Sequence, residues 1–184
     1  MLAIDPSWQP EAQQANFRLL LDAMSYPGKY LNLNYVPKDY PIALTILSTL
    51  LDAQVSLADP HKLLKDEDWL MLQTKSEHQD NANYILCDAS QIPDFTPKLG
   101  TLKSPEQSAT LILVVDTLGV GELQLKLTGA GIKDHKTLNV TGMNKKWLTM
   151  RNEWNCSFPL GVDFILIDKT QIAALPRTTK VEIN

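Results

Sequence analysis

The chain holds 184 residues, 44% hydrophobic and 21% charged, and 17 Lys and Arg against 21 Asp and Glu leave a net charge of −4. That balance excludes disorder, coiled coil and collagen-like repeats, and a chain of this length buries roughly 70% of its unfolded surface without a disulfide framework or structural metal. It also lacks the basic footprint with which nucleic-acid binders neutralise phosphates, so no nucleic-acid partner is expected.

Cys87 and Cys156 are too few and too far apart for a secreted disulfide scaffold. Residues 1–10 show neither a basic n-region nor an apolar h-region, and so read as no secretory signal. The most apolar stretch, 42–57, is interrupted by Thr45, Asp52 and Gln54. It falls short of the about 20 apolar residues that a bilayer span needs. The expectation is a cytoplasmic protein with no membrane partner, folded as one domain over residues 1–184.

Residues 11–24 predict a helix, opened by Pro10 and closed by Tyr26-Pro27-Gly28, with Phe17, Leu20, Leu21 and Met24 on one apolar face. Residues 30–35 alternate apolar and polar with period two, a half-buried strand. Residues 42–57 predict a second helix, apolar nearly all round and therefore buried. Two short apolar runs, 69–72 and 84–87, are strand-like, and a Pro-, Lys- and Thr-rich loop covers 93–107. Residues 111–115 form a continuous apolar run, as in a strand covered on both faces. Through Leu118-Gly119-Val120-Gly121 that strand is expected to pair as a hairpin with the alternating segment 122–128. A helix follows at 144–154, with Trp147, Met150, Arg151 and Trp154 on one side. Residues 162–167 predict a buried strand, and 171–175 its hairpin partner across Asp168-Lys169-Thr170. The sum is an α/β fold with a mixed sheet and flanking helices.

Catalytic signatures are scarce. Gly119-Val120-Gly121 and Gly129-Ala130-Gly131 lack the third glycine of a dinucleotide fingerprint, because Gln124 and Asp134 stand there. Both read as turns in which glycine takes positive φ without steric cost. His61, His78 and His135 are isolated from one another and from the cysteines, so no metal motif forms, and Cys87 reads as a small core hydrophobe. Pyridoxal phosphate chemistry needs a Schiff-base lysine and a carboxylate. Asp116 could imitate the carboxylate, but Lys133, Lys145 and Lys146, the nearest lysines in sequence, read as solvent-facing. No cofactor is therefore expected. The remaining polar cluster is Pro176-Arg177-Thr178-Thr179-Lys180. Arg177 with Thr178 and Thr179 could hold a phosphate or phosphonate; the alternatives are an edge strand with solvated cations, or a structural pair between Arg177 and Asp163 or Asp168.

Five segments carry a family resemblance. They are Asn16-Phe17-Arg18-Leu19-Leu20 leading into Ala23-Met24-Ser25-Tyr26-Pro27-Gly28, Gly100-Thr101 with Pro105-Glu106 and 109–113, Thr128-Gly129-Ala130-Gly131-Ile132, Phe158-Pro159-Leu160-Gly161-Val162-Asp163, and 175–181. In this order they resemble the H subunit of carbon–phosphorus lyase, the PhnH family, from about Asn16 to the end. Residues 37–95 carry none of the motifs, and Ala130 stands where many relatives have proline. The resemblance implies an accessory subunit of a core complex with subunits G, I and J. That complex uses ATP to form α-D-ribose 1-methylphosphonate 5-triphosphate and releases adenine. It further implies a fold like the pyridoxal-phosphate-dependent transferases without their cofactor lysine, no catalytic or metal residue of its own, and a homodimer when isolated. Pro27, Gly28, Gly129, Gly131, Pro159, Gly161 and Asp163 are then expected to determine the fold rather than to contact a ligand.

Overall fold

The computed structural model describes residues 9–33 and 41–183. Its centre is a seven-stranded mixed sheet of order β1-β9-β8-β5-β4-β2-β3. These strands are β1 (Leu31–Asn32), β2 (Ser56–Ala58), β3 (Lys75–Ser76), β4 (Tyr84–Asp88), β5 (Thr110–Val114), β8 (Asp163–Ile167) and β9 (Gln171–Leu175). From β3 to β8 all neighbours run parallel, whereas β9 lies antiparallel to both β8 and β1. A second sheet, entirely antiparallel, has the order β10-β6-β7, from β6 (Thr117–Gly129), β7 (Lys136–Thr141) and β10 (Thr179–Ile183).

The apolar run at 111–115 is covered on both faces, as expected. Ile112 faces α1 (Pro10–Ser25), α2 (Ile42–Leu50) and α3 (Asp66–Leu72), together with Leu86, Ile165 and Ala174. Leu111 and Leu113 face the second sheet and α4 (Lys146–Trp154). There Leu125, Leu127, Leu138 and Val140 meet Trp147, Trp154, Phe95 and Phe164, whose rings contact one another with centroids 6.1–6.5 Å apart. The layers are thus helices, sheet, and sheet plus helix, each strand residue alternating between two cores.

Several sequence expectations are corrected. On α1 the buried stripe is Ala12, Asn16, Leu20 and Ala23, while Phe17 and Leu21 are exposed. Small residues let this helix approach α2 and β9 closely. The second helix stops at Leu50, not 57, because the Asp52 carboxylate accepts the N–H groups of Gln54 and Val55 and competes with helix continuation. Residues 69–72 are helical, not extended. Asp66, Glu67 and Asp68 occupy the first turn of α3, where negative charge suits the helix dipole, and Asp68 accepts the Lys65 N–H at 2.8 Å. Of the strand expected at 30–35, Leu31–Asn32 is formed, and residues 34 and 35 lie outside the described residues.

The hairpin expected between 111–115 and 122–128 does not exist. β5 pairs with β4 and β8, and β6 crosses into the other sheet. Two-sided burial decides this, since pairing in a hairpin would have left one face of β5 without its cover. The residues 119–122 form a bulge inside β6: Leu118 and Leu123 both stand opposite Val140. Outward-facing groups at the edges of the second sheet are met by side chains. The Asn139 N–H of β7 donates to the Tyr30 hydroxyl at 2.8 Å, and Asn152 Nδ2 of α4 donates to the Val181 carbonyl of β10 at 3.2 Å.

Cys87 is fully buried in β4 and Cys156 is exposed. Burial, reinforced by Asp59, Asp88 and Asp94, pushes the Cys87 thiol up. An unfolded thiol ionises near pH 8.5. Above that pH the folded state therefore holds more protons than the unfolded state, and stability falls as pH rises. A thiol reagent should label one cysteine in the native protein and two in urea. The stability lost between pH 8 and 10, read by urea unfolding, should shrink in Cys87→Ala.

Candidate functional site

The 176–179 loop joins β9 to β10 and is gripped by two arginines. Arg177 is not solvated. Its Nη2 sits 2.5 Å from Asp163 Oδ2, with the two side chains 16% and 14% exposed, and Nε reaches Asp163 Oδ1 at 3.4 Å. Nη1 donates to the carbonyls of Pro105 and Pro159 at 3.0 and 3.2 Å, and the second Nη2 hydrogen goes to the buried Ser108 hydroxyl. Its backbone N–H also donates to Asp163 Oδ1, at 2.7 Å. A guanidinium has five N–H donors, and all five are spent within the chain. Asp168, the other candidate partner, is instead occupied by the N–H groups of Leu118, Thr170 and Gln171.

Arg151 grips the same loop from beneath. It is 1% exposed and donates to the carbonyls of Thr179, Leu175 and Pro176 while its guanidinium stands 5.7 Å from the Phe164 ring centroid. Burial lowers its pKa to about 10, against an opposing contribution from Asp163. The sequence places Arg151 on one side of its helix with Trp147, Met150 and Trp154 but carries no sign of this role. Its acceptors are main-chain carbonyls, which no residue type announces. Thr178 is exposed, and Thr179 is buried opposite Gly129.

The motif segments converge. Phe158–Pro159 is a cis peptide, and the Pro159 carbonyl is one of the acceptors of Arg177. Gly161 donates its N–H to the Leu99 carbonyl at 2.9 Å, and Asn155 holds Val162 through both its N–H and its carbonyl. Buried Pro27 and Gly28 close α1, where Gly28 donates to the Ala174 carbonyl at 3.2 Å. A side chain on Gly28 would stand 2.5 Å from Leu127, and one on Gly131 (φ +78°) would overlap the Ser25 carbonyl and press on Pro27. One on Gly129 would stand 2.6 Å from the Thr178 carbonyl. The end of α1, the β6–β7 turn and the β9–β10 loop therefore touch backbone to backbone.

Elsewhere the groups for catalysis are dispersed. His61 Nδ1 accepts the Asp88 N–H at 2.9 Å, and His78 pairs with Asp80 on the surface. The Asp88 carboxyl is lowered, burial being outweighed by hydrogen bonds from Ser90 and Gln91 and by His61. Among the described residues no group of three or more His, Cys, Asp or Glu is placed to hold a metal. Asp116 lines a groove at the carboxyl ends of β5 and β8, and the lysine beside it there is Lys169. Lys133, Lys145 and Lys146 do not line that groove. The turn after a buried parallel strand was the signal for Lys169. Both Asp116 and Lys169 are exposed, unlike the enclosed lysine of a Schiff base.

With this geometry in view, the chain matches a protein family described as bacterial phosphonate metabolism protein (PhnH), over residues 6–182. The chain belongs to the PhnH family. A Stutzerimonas stutzeri protein named C-P lyase subunit HtxG is 40% identical over 177 residues, which span 96% of this chain and 89% of that protein. The alpha-D-ribose 1-methylphosphonate 5-triphosphate synthase subunit PhnH of Rhizobium meliloti (strain 1021) is 26% identical over 182 residues, 92% and 90% of the two chains. In this PhnH member, the sequence segments that carried the resemblance are the ones that meet around Arg177 and the two glycine turns.

Three variants test these contacts in the PhnH fold. Arg177→Ala leaves Asp163 buried without its partner and should cost about 3 to 5 kcal/mol in urea unfolding. Arg177→Lys should recover less than half of that, because one ammonium cannot replace a five-donor fork. Gly131→Val should cost about 1 to 3 kcal/mol through strained φ/ψ, or more from the Ser25 overlap, and an unchanged melting temperature would contradict the close approach.

Proposed function

We propose that this chain is an accessory subunit of a carbon–phosphorus lyase core complex, working beside subunits of the G, I and J types. In this reading it supports the ATP-dependent formation of α-D-ribose 1-methylphosphonate 5-triphosphate with release of adenine, while the chemistry resides on other subunits. Membership in a phosphonate-metabolism family supports it, as do relatives named as a C-P lyase subunit and as a subunit of that synthase. The observation that carries the accessory role is the fate of Arg177. All five donors of the strongest anion-binding candidate hold Asp163, Ser108 and two carbonyls, and so its role is to fasten loops. Thr179 is buried with the loop, which leaves Thr178 as the exposed member of that trio.

The same reading takes the fold as a relative of the pyridoxal-phosphate-dependent transferases that has no cofactor lysine, the isolated chain as a homodimer, and the compartment as the cytoplasm. No described helix is long and apolar enough to cross a membrane, which is compatible with that compartment. Co-expression of the tagged chain with G, I and J subunits from one source tests the proposal. A stoichiometric particle containing all four is expected, and elution of the chain alone would overturn it. Arg177→Ala should reduce recovery of the particle in proportion to its loss of folded chain, with turnover per assembled complex unchanged. A lowered turnover in a fully assembled complex would return Arg177 to the reaction site.

A further inference from the structure

Arg177 is spent, but oxyanion-binding capacity stands elsewhere. Where the end of α1 meets the β6–β7 turn, a cleft of about 380 Å³ is lined by Tyr26, Pro27, Lys29, residues 131–135 and Lys136. Two of the recognisable sequence segments, Tyr26-Pro27-Gly28 and Gly129-Ala130-Gly131, thus border one concavity. Its floor is rigid. Gly131 lies against the Ser25 carbonyl and Pro27, and the Lys136 stem passes 3.5 Å from where a Gly28 side chain would begin.

The rim carries Lys29, Lys133, Lys136 and His135 against Asp134, in a chain whose net charge is −4. Lys29 is committed: it pairs with Asp22 at 2.7 Å and stands 5.6 Å from the Tyr26 ring centroid, beside the negative end of the α1 dipole. Lys133 and Lys136 make no ion pair among the described residues. The turn supplies directional donors as well. Of its amides from 130 to 135, that of Ile132 returns to a backbone carbonyl, Gly129 at 3.1 Å, and no other does so among the described residues. Lysine ammoniums beside the unspent amides of a glycine turn with positive φ form a concavity suited to tetrahedral oxyanions.

We propose that this cleft binds an oxyanion of the phosphate and phosphonate class, with charge from Lys133 and Lys136 and directional hydrogen bonds from the amides of the glycine turn. The choice of phosphonate among such anions rests on the proposed function, whereas the cleft and its charge do not. The test is titration of the full chain, at constant ionic strength, with inorganic phosphate, methylphosphonate or tripolyphosphate, followed by backbone amide NMR shifts. Saturable shifts are expected in residues 26–29 and 130–136. Lys133→Ala/Lys136→Ala should weaken binding at least tenfold with an unchanged melting temperature, and Lys145→Ala/Lys146→Ala should leave it intact. Tightest binding of methylphosphonate would identify a phosphonate head as the source, and tightest binding of tripolyphosphate a polyphosphate tail. Shifts that do not saturate, or that weaken equally in both double variants, would overturn the site as diffuse charge. So would unaltered anion binding in the Lys133/Lys136 variant combined with lost assembly, which would make the cleft a contact for an acidic protein segment. Normal four-subunit assembly without anion binding would sink this inference alone, and anion binding without assembly would sink the complex reading alone.

Discussion

A mostly enclosed ion pair organises one end of the molecule. Asp163 begins β8, where the parallel part of the large sheet meets antiparallel β9, and Arg177 lies in the loop that carries the chain from the large sheet to the small one. From that point the guanidinium reaches the 105–108 turn before β5 and the 159 carbonyl before β8. Three loops distant in sequence are thereby set by one planar group. Desolvating two charges is costly, and this pair is tolerable because hydrogen bonds satisfy the remaining donors and the carboxylate. Arg151 adds a second buried cation against carbonyls of the same loop, so the C-terminal strand is tied down from both sides.

That fastening gives a recognisable motif a structural task. The arginine and threonines of the 176–179 loop look like an anion grip when read as a string. In space the arginine faces inward and Thr179 is enclosed. The basic, donor-rich surface is instead built by the β6–β7 turn, whose lysines are unremarkable in sequence and gain meaning from the end of α1 beside them.

Much of the architecture was legible because hydrophobic periodicity is local. The run at 84–87 is strand-like in length and composition, 111–115 reads as a strand covered on both faces and 162–167 as a buried strand, and Trp147, Met150, Arg151 and Trp154 mark one side of α4. Differences arise where a non-local partner or a local helix cap decides. The α1 stripe was assigned to its large residues, yet close helix packing selected Ala12, Asn16 and Ala23. Trp69-Leu70-Met71-Leu72 has the composition of a strand, but three acids before it and the Asp68 contact to Lys65 make it a helix. Which strand pairs with β5 was hidden entirely, since a hairpin and a crossover to another sheet share the same alternating pattern. At the site, the Arg177–Asp163 pair was among the alternatives open to sequence reasoning. The fan of carbonyls around Arg151 was not, because main-chain acceptors leave no trace in residue identity.

The side chains that meet the borders of the small sheet limit how a neighbour can attach. An open strand border invites another chain to continue the ladder, which is a route to recruitment and also to fibrillar assembly. Here Tyr30 takes the Asn139 amide on one border, and Arg151 and Asn152 take the Thr179 and Val181 carbonyls on the other. A strand arriving at those points would have to displace bonds already made. At these points of the small sheet, attachment would have to run through side-chain surfaces and turns, whose specificity is set residue by residue, and not through main-chain pairing that any extended segment could imitate.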